Sequence, residues 1–407
     1  MLKDYFKNTI SILIRLIFNL FEFAILFAIL FFYLFRIPII QTKLADQFTF
    51  QLNKQFKSKI KVDKVVLKSF EDLQINNIFI PDLNGDTILY IPKTRIKIKN
   101  FDFLERKIEI SILKLEKPEI ILKRNKGNEK YEFEFLLKTF KKKQRENSSY
   151  EISIDQFSIE KSNLYHLDNS EFFKSQNIDI QDIKFSHINL IINKIIFKDN
   201  SLTSTLEEFN FLNDKGFNLS NLKGELYIDS VHLKLIDIKL KTPNSSFNSK
   251  EFNLNFKLND IINNELYSFK DINSDLSSID YNSIFKKEID PLLNISISTD
   301  ISASTNSINL NNLFINYLNS ELNGYFHVDH FSNSDLTNYV FDLKANKILK
   351  NDLNKLIKNN NLIIPPVVLK KINKLDNFQF SISGTGDNSF LKSKLIFNSA
   401  LGNIRGD

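Results

Sequence analysis

From residue 60 onward, apolar and polar residues alternate at the two-residue period of a half-buried strand. KIEISI (Ile108, Ile110, Ile112), YEFEF (Tyr131, Phe133, Phe135) and FNLNFKL (Phe252, Leu254, Phe256, Leu258) are clear instances. A second pattern recurs, with apolar residues at i, i+2, i+5 and i+7. It is present at Ile60, Val62, Val65 and Leu67; at Leu73, Ile75, Ile78 and Ile80; and at Ile152, Ile154, Phe157 and Ile159. It returns at Ile178, Ile180, Ile183 and Phe185, continuing to Ile188 and Leu190; at Leu226, Ile228, Val231 and Leu233; and at Ile308, Leu310, Leu313 and Ile315. On a helix, at about 100° per residue, these positions scatter. On a strand the three-residue step is a one-residue slip, and a β-bulge or short kink there returns the apolar residues to one face and adds twist.

The first sixty residues follow a different rule. Leu16 to Phe35 is an apolar run about twenty residues long, enough to cross a bilayer as one helix. It is too long for the core of a cleaved signal peptide and ends in Phe35, Arg36, Ile37 and Pro38, so an uncleaved anchor with a cytoplasmic N-terminus is predicted. Ser11, Arg15, Asn19 and Glu22 share one helical face. Arg15, Asn19 and Glu22 are therefore candidates for contact with a membrane partner, set against the plainer reading that Arg15 snorkels and Glu22 sits shallow. Pro38 suits the first turn of a second helix, with Ile40, Leu44, Phe48, Leu52 and Phe56 at every fourth position. Such a stripe either lies on the membrane or, more commonly, plugs the end of the following domain.

Turn chemistry punctuates the rest, as at Pro81 to Asp86, Asn125 to Asn128, Asn213 to Gly216 and Gly384 to Asp387. The expected organisation is 1–15 cytoplasmic, 16–35 transmembrane anchor, 36–57 amphipathic helix, 58–140 first β segment and 141–149 charged linker. Beyond it come 150–350 as a second β segment, 351–375 as a helical insertion around Pro365 and Pro366, and 376–407 as the start of a further β repeat. The fold class is mostly β, an elongated, twisted antiparallel sheet with few helices. About sixteen strands at about 4.8 Å spacing give a sheet roughly 75 Å long with one greasy face. With so little helix to cover it, that sheet is expected to curl into an open trough, a place for acyl chains. Ile110, Phe133, Ile154, Phe157, Leu233 and Phe256 are the candidate lining.

Composition narrows the function more than it defines it. With 54 Lys+Arg interleaved with 48 Asp+Glu, the net charge of +6 forms no basic stripe, which argues against nucleic acid. The absence of Cys excludes disulfides and thiolate metal sites. Phe rises with Ile, Lys and Asn, as in an AT-biased genome, and carries little functional weight.

Candidate chemistry is thin. Asp82, Asn84 and Asp86 imitate the start of a calcium loop, but the Gly stands at the fourth position and Lys93 where a bidentate Glu is needed, so a turn is expected. His327 and His330 flank Val328-Asp329 at a spacing that faces opposite sides of a strand. No nucleophile elbow, phosphate loop or HExxH is present. Catalytic, cofactor and metal residues are accordingly none, and an enzyme is not expected. Lys141 to Lys143 reads as a solvated loop before it reads as a headgroup contact.

Residues Arg36 to Leu137 resemble a known family. The run Arg36-Ile37-Pro38-Ile39-Ile40-Gln41-Thr42, then KIKVDKVVLKSFEDLQINNIFIPD, Asn84 to Tyr90, KIEISILKLEKPEIILKR and YEFEFLL are similar to the N-terminal region of the AsmA-like inner-membrane proteins of the TamB (translocation and assembly module) type, in its Bacteroidetes form. FQFSISGTG and SALGNIRGD resemble the later β-repeats of that family. The resemblance implies a β-taco or repeating β-groove, anchored in the bacterial inner membrane by a single pass. The bulk would lie in the periplasm and serve phospholipid transport and outer-membrane biogenesis. It also implies an Omp85-type outer-membrane barrel as partner, met through a C-terminal region this chain lacks. The chain stops at Arg405-Gly406-Asp407 in mid-repeat, as a fragment of a longer product would; the Arg-Gly-Asp itself reads as incidental.

Three functions fit these residues. A lipid conduit would shield acyl chains on the apolar face. An assembly platform would capture outer-membrane β-barrel proteins by strand addition. A membrane-anchored binding domain would close its apolar face inside a sandwich.

Overall fold

The computed structural model describes residues 37–56, 58–69, 71–102, 104–125, 131–134, 151–169, 182–198, 201–229, 231–255, 267–285, 294–304, 306–331, 336–359, 370 and 374–406, with Phe23, Leu26 and Tyr33. Apart from those three residues the 16–35 run, with Arg15, Asn19 and Glu22, lies outside the described residues. Among the described residues no helix is long and apolar enough to cross a membrane.

Among the described residues nineteen strands form a single sheet. They begin with β1 (Lys61–Leu67), β2 (Asp72–Pro81), β3 (Thr87–Asp102), β4 (Lys107–Glu116), β5 (Glu119–Arg124), β6 (Glu151–Asp168), β7 (Asp182–Lys198) and β8 (Ser201–Asn213). Shorter strands follow: β9 (Asn221–Ile228), β10 (His232–Lys241), β11 (Ser246–Asn255), β12 (Tyr267–Ser277), β13 (Asn294–Ala303) and β14 (Ser307–Tyr317). The last are β15 (Ser320–Asp329), β16 (Asn338–Leu349), β17 (Asn377–Asp387), β18 (Leu391–Ser399) and β19 (Gly402–Gly406). Among the described residues they are accompanied by the helices α1 (Pro38–Phe56), α2 (Ser278–Phe285) and α3 (Lys350–Asn359).

The order is a meander, each strand antiparallel to the next, with one exception. β4 and β5 occupy a single strand position, broken at Lys117 (φ 53°) and Pro118; both run antiparallel to β3 and parallel to β6. The expectation of antiparallel neighbours throughout is corrected here. A buried ion pair marks the junction: the Arg124 guanidinium donates to both oxygens of Asp168, which is 2% exposed. Tyr131 lies under Arg124, ring centroid 4.8 Å from the guanidinium, and its hydroxyl meets His166 Nε2 at 2.8 Å. With β4 and β5 in line, the strand positions span roughly 80 Å at about 4.8 Å each.

α1 caps the β1 end. Ala45, Val62 and Ile75 form a small core with Val65, Leu73, Ile78 and Ile96 packed around it. On its inner face Gln41 (4% exposed) and Ala45 (0%) are buried and Ile40 and Leu52 are half-buried, while the side chains of Leu44, Phe48 and Phe56 lie outside the described residues. Small Ala45 lets the helix approach the sheet. Asn53 then fixes the helix end to the chain before β1, donating to Ile60 O at 3.0 Å and accepting from Ile60 N at 2.6 Å.

α2 and α3 are attached to the sheet by the same device, four strands apart. Each follows a strand ending at the same margin, and an Asp at its third position grips the neighbouring hairpin turn. Asp280 accepts from Ser245 Oγ (2.6 Å) and Asn244 Nδ2 (3.0 Å), while Ser245 Oγ accepts from Ser277 N (3.0 Å). Asp352 accepts from Ser320 Oγ (2.8 Å) and Asn319 N (3.0 Å), while Ser320 Oγ accepts from Leu349 N (3.0 Å).

Candidate functional site

The sheet carries unbroken apolar rows at right angles to its strands. One runs from Leu226 on β9 through Leu235, Phe252, Phe269, Ile301, Leu310 and Phe326 to Phe341 on β16. Another runs from Leu67 on β1 through Leu73, Ile96, Leu113, Phe157 and Ile192 to Leu206 on β8. All of these side chains are only half-buried. Among the described residues, Asp168, Pro81 and Pro118 are the largest side chains that are fully buried. Two sheets packed face to face would bury such rows completely. Here the row residues keep part of their surface in solvent, Leu73 and Ile96 being packed against the small core around Ala45.

What keeps every row on one face is a left-handed residue at the fifth place of the i, i+2, i+5, i+7 pattern. Asn77 (φ 53°) stands between Ile75 and Ile78, His187 (52°) between Phe185 and Ile188, and Asn312 (53°) between Leu310 and Leu313. Lys194, Asp237 and Asp271 hold the same place before Ile195, Ile238 and Ile272. Asn, Asp and His tolerate this conformation better than most residues, and a bulge there bends the strand. For Leu226 to Leu233 the predicted bulge is corrected: the three-residue step is the β9–β10 hairpin turn, closed by Asp229 N to His232 O at 2.9 Å.

The backbone groups that a bulge leaves over are paired by short polar side chains on the adjoining strand. Ser249 Oγ donates to Lys270 O (2.7 Å), and Thr299 Oγ1 to Asn311 O (2.8 Å), each carbonyl preceding a left-handed residue. Asp300 accepts from Asp271 N at 2.7 Å with one oxygen and from Asn312 Nδ2 at 2.7 Å with the other. Asn189 accepts from Lys161 N at 3.0 Å. Along this line large residues stand opposite small ones, Ile238 opposite Ser249, Ile272 opposite Thr299 and Leu313 opposite Gly324, and the Ile and Leu are at most 8% exposed. Gly324 (φ 147°) is required, since a Cβ would stand 1.9 Å from Asp342 O.

Of the predicted lining residues, Ile110 and Ile154 are register partners on β4 and β6, Phe157 pairs with Leu113, and Leu233 pairs with Leu254. The strand reading at Phe133 is corrected. Residues 131–134 form a turn rather than a strand, because Glu134 folds back to accept from Tyr131 N (3.1 Å) and Glu132 N donates to Lys123 O (3.0 Å). Phe256 lies outside the described residues. The rows through Phe269, Phe326 and Phe341 were not singled out from sequence, although their alternation is plain in it.

The opposite face is charged and self-paired. Lys93 meets Glu116 at 2.8 Å and Arg95 meets Asp72 at 2.7 Å, and each cation holds its carboxylate partner below the ordinary range. Asp82 closes the expected turn, accepting from Asn84 N (2.9 Å) and Asp86 N (2.7 Å). Burial and a hydrogen bond to Asp82 push Glu132 up. His327 Nε2 meets Asp329 at 2.6 Å within β15, while His330 sits at a turn with φ 56°. Compared with known protein families, characterised proteins and solved structures, the chain matches none.

Proposed function

We propose that the apolar face of this sheet carries the acyl chains of lipids along its length, with headgroups left in water. The observation that carries this reading is the row from Leu226 to Phe341, continuous over eight strands and half-exposed throughout. An open face of aliphatic and aromatic carbon is costly in water unless something apolar occupies it. An acyl chain does so without leaving a polar atom unpaired.

In this reading the run Leu16 to Phe35 anchors the protein in a bacterial inner membrane, α1 stands between bilayer and sheet, and the strip extends into the periplasm as a repeating β-groove of the TamB or AsmA-like type. Its work is phospholipid transfer toward the outer membrane, and no catalytic step is involved. The test is mass spectrometry of phospholipid co-purifying with the full chain, repeated for Ile110→Glu, Ile154→Glu and Leu233→Glu. Each carboxylate buried beneath an acyl chain is expected to reduce bound lipid about tenfold or more. Unchanged lipid in all three variants overturns the reading. The alternative, a platform that adds strands of unfolded barrel proteins, is favoured by β19, which pairs with β18 alone among the described residues. Cross-links from β19 to a client chain, with no lipid bound, would select it.

A further inference from the structure

Where α3 turns back over the sheet it forms a half-open cavity of about 220 Å³ against β14, β15 and β16. Its walls are Ile315, Tyr317, Leu322, Ile348, Leu353 and Leu356, and nearly all of the lining is carbon. Ile315 and Leu322 are register partners, and Ile315 pairs in turn with Ile297 on β13. The cavity therefore continues an apolar row of the open face instead of standing apart from it.

Its rim decides what enters first. Asp352 and Ser320 are committed to each other and to the backbone of Asn319 and Leu349. Glu321, between Ser320 and Leu322 in the strand, alternates to the other face, where it is the register partner of Lys347. A phosphate or carboxylate head brought here meets the Asp352 carboxylate; a methyl end meets only apolar walls. The volume holds about seven methylene-sized groups, if each takes about the 30 Å³ that a water molecule occupies in the liquid.

We propose that the cavity under α3 is a terminal site for the methyl end of one saturated alkyl chain whose remainder lies on the apolar rows. This rests on the reading of that face as lipid-binding, and it adds a fixed stop where a chain is held end-on. α2, held by the same Asp and Ser device, serves as the internal comparison, since its Ile279 is 46% exposed.

The experiment uses the full chain and dodecanoic acid carrying a diazirine at its methyl end, with irradiation and peptide mapping by mass spectrometry. The expected label falls on the peptides holding Ile315 to Leu322 and Ile348 to Leu356. Leu353→Trp, which fills the cavity, is expected to lower that label about tenfold while leaving label on Phe252 and Leu310 unchanged. Mapping on the unaltered chain decides the matter even if the variant fails to fold. Label on the rows but not on the cavity peptides overturns the terminal site and leaves the lipid-binding face standing. Label on neither overturns both.

Discussion

Strands β3 to β8 and strands β9 to β16 carry the same apolar pattern at two widths. β10, β12 and β14 are 10 or 11 residues long and hold one left-handed residue each, Asp237, Asp271 and Asn312. β7 is 17 residues long and holds two, His187 and Lys194, so that Ile183, Phe185, Ile188, Leu190, Ile192, Ile195 and Phe197 follow the pattern twice over. The left-handed residue is thus a unit of bending, present once in each of β10, β12 and β14 and twice in β7. A second difference is connectivity. The wide region contains the parallel junction and its buried ion pair, whereas the narrow one is a plain meander with a helix latched on every fourth strand. The narrow region is joined by hairpin turns and the Asp280 and Asp352 latches; the wide one depends on a buried ion pair between residues 44 apart in sequence.

The largest effect is expected at that contact. Asp168→Asn leaves the Arg124 guanidinium enclosed without its counter-charge, at a cost of about 3 kcal/mol or more. Hydrogen exchange should show the loss in the amides of β4, β5 and β6, with β12 to β14 unchanged. Equal loss in both regions would mean that the strip unfolds as one unit and that the contrast in connectivity has no energetic meaning.

A smaller effect separates the bend line from the open rows. Ile272 is 4% exposed and sits between Ser249 and Thr299, so Ile272→Ala should cost about 3 kcal/mol. Leu235 is half-buried on a row, and Leu235→Ala should cost about 1 kcal/mol because much of its surface already faces solvent. Denaturation of lipid-free protein measures both. Equal costs would show the rows to be covered in solution, contrary to the open face described above.

How much of this was legible in the sequence depends on the range of the interaction involved. The bend was legible because it is local: Leu73 to Ile80 and Ile308 to Ile315 contain their left-handed Asn, and the step from Phe185 to Ile188 contains His187. In Ile60 to Leu67 and Ile152 to Ile159 the left-handed residue lies on the partner strand, Asn77 opposite Asp63 and Lys194 opposite Asp155, which no single-strand pattern reveals. Leu226 to Leu233 has the same spacing, yet Asp229 caps a hairpin there, so apolar spacing alone does not separate a bulge from a tight turn. YEFEF misled because five alternating residues are outweighed by the cap that Glu134 makes on Tyr131. The parallel junction left no local signal at all. Ile110, Ile154, Phe157 and Leu233 were named from alternation, and their pairing with one another, with Leu113 and with Leu254 needed the register.

A gain in stability is expected where the bend is strained and its side chain idle. Lys194 is exposed and left-handed, a conformation costing about 1–2 kcal/mol for a residue with a Cβ. Glycine removes that cost and adds back about 0.5–1 kcal/mol of chain entropy, so Lys194→Gly should stabilise the wide region by about 0.5–1 kcal/mol. Thermal melting with local exchange at β7 measures it. A loss instead would show that the lysine side chain, and not only its backbone, supports the second bend.

The smallest effect lies at the β9–β10 turn, the first hairpin of the narrow region. Asp229 accepts from Val231 N and His232 N, both at 2.7 Å, and these backbone donors bring its pKa down to about 2. A carboxylate whose folded pKa lies below its unfolded value of about 3.9 stabilises the fold above that value, and its contribution disappears as pH falls through the folded pKa. The turn should therefore lose protection between about pH 4 and pH 2 in amide exchange of Val231 and His232. Asp229→Asn keeps an acceptor for both donors but cannot titrate, so in that variant the same amides should show no step in this window. A step that persists in Asp229→Asn would assign the titration to another group and leave the turn held by its backbone alone.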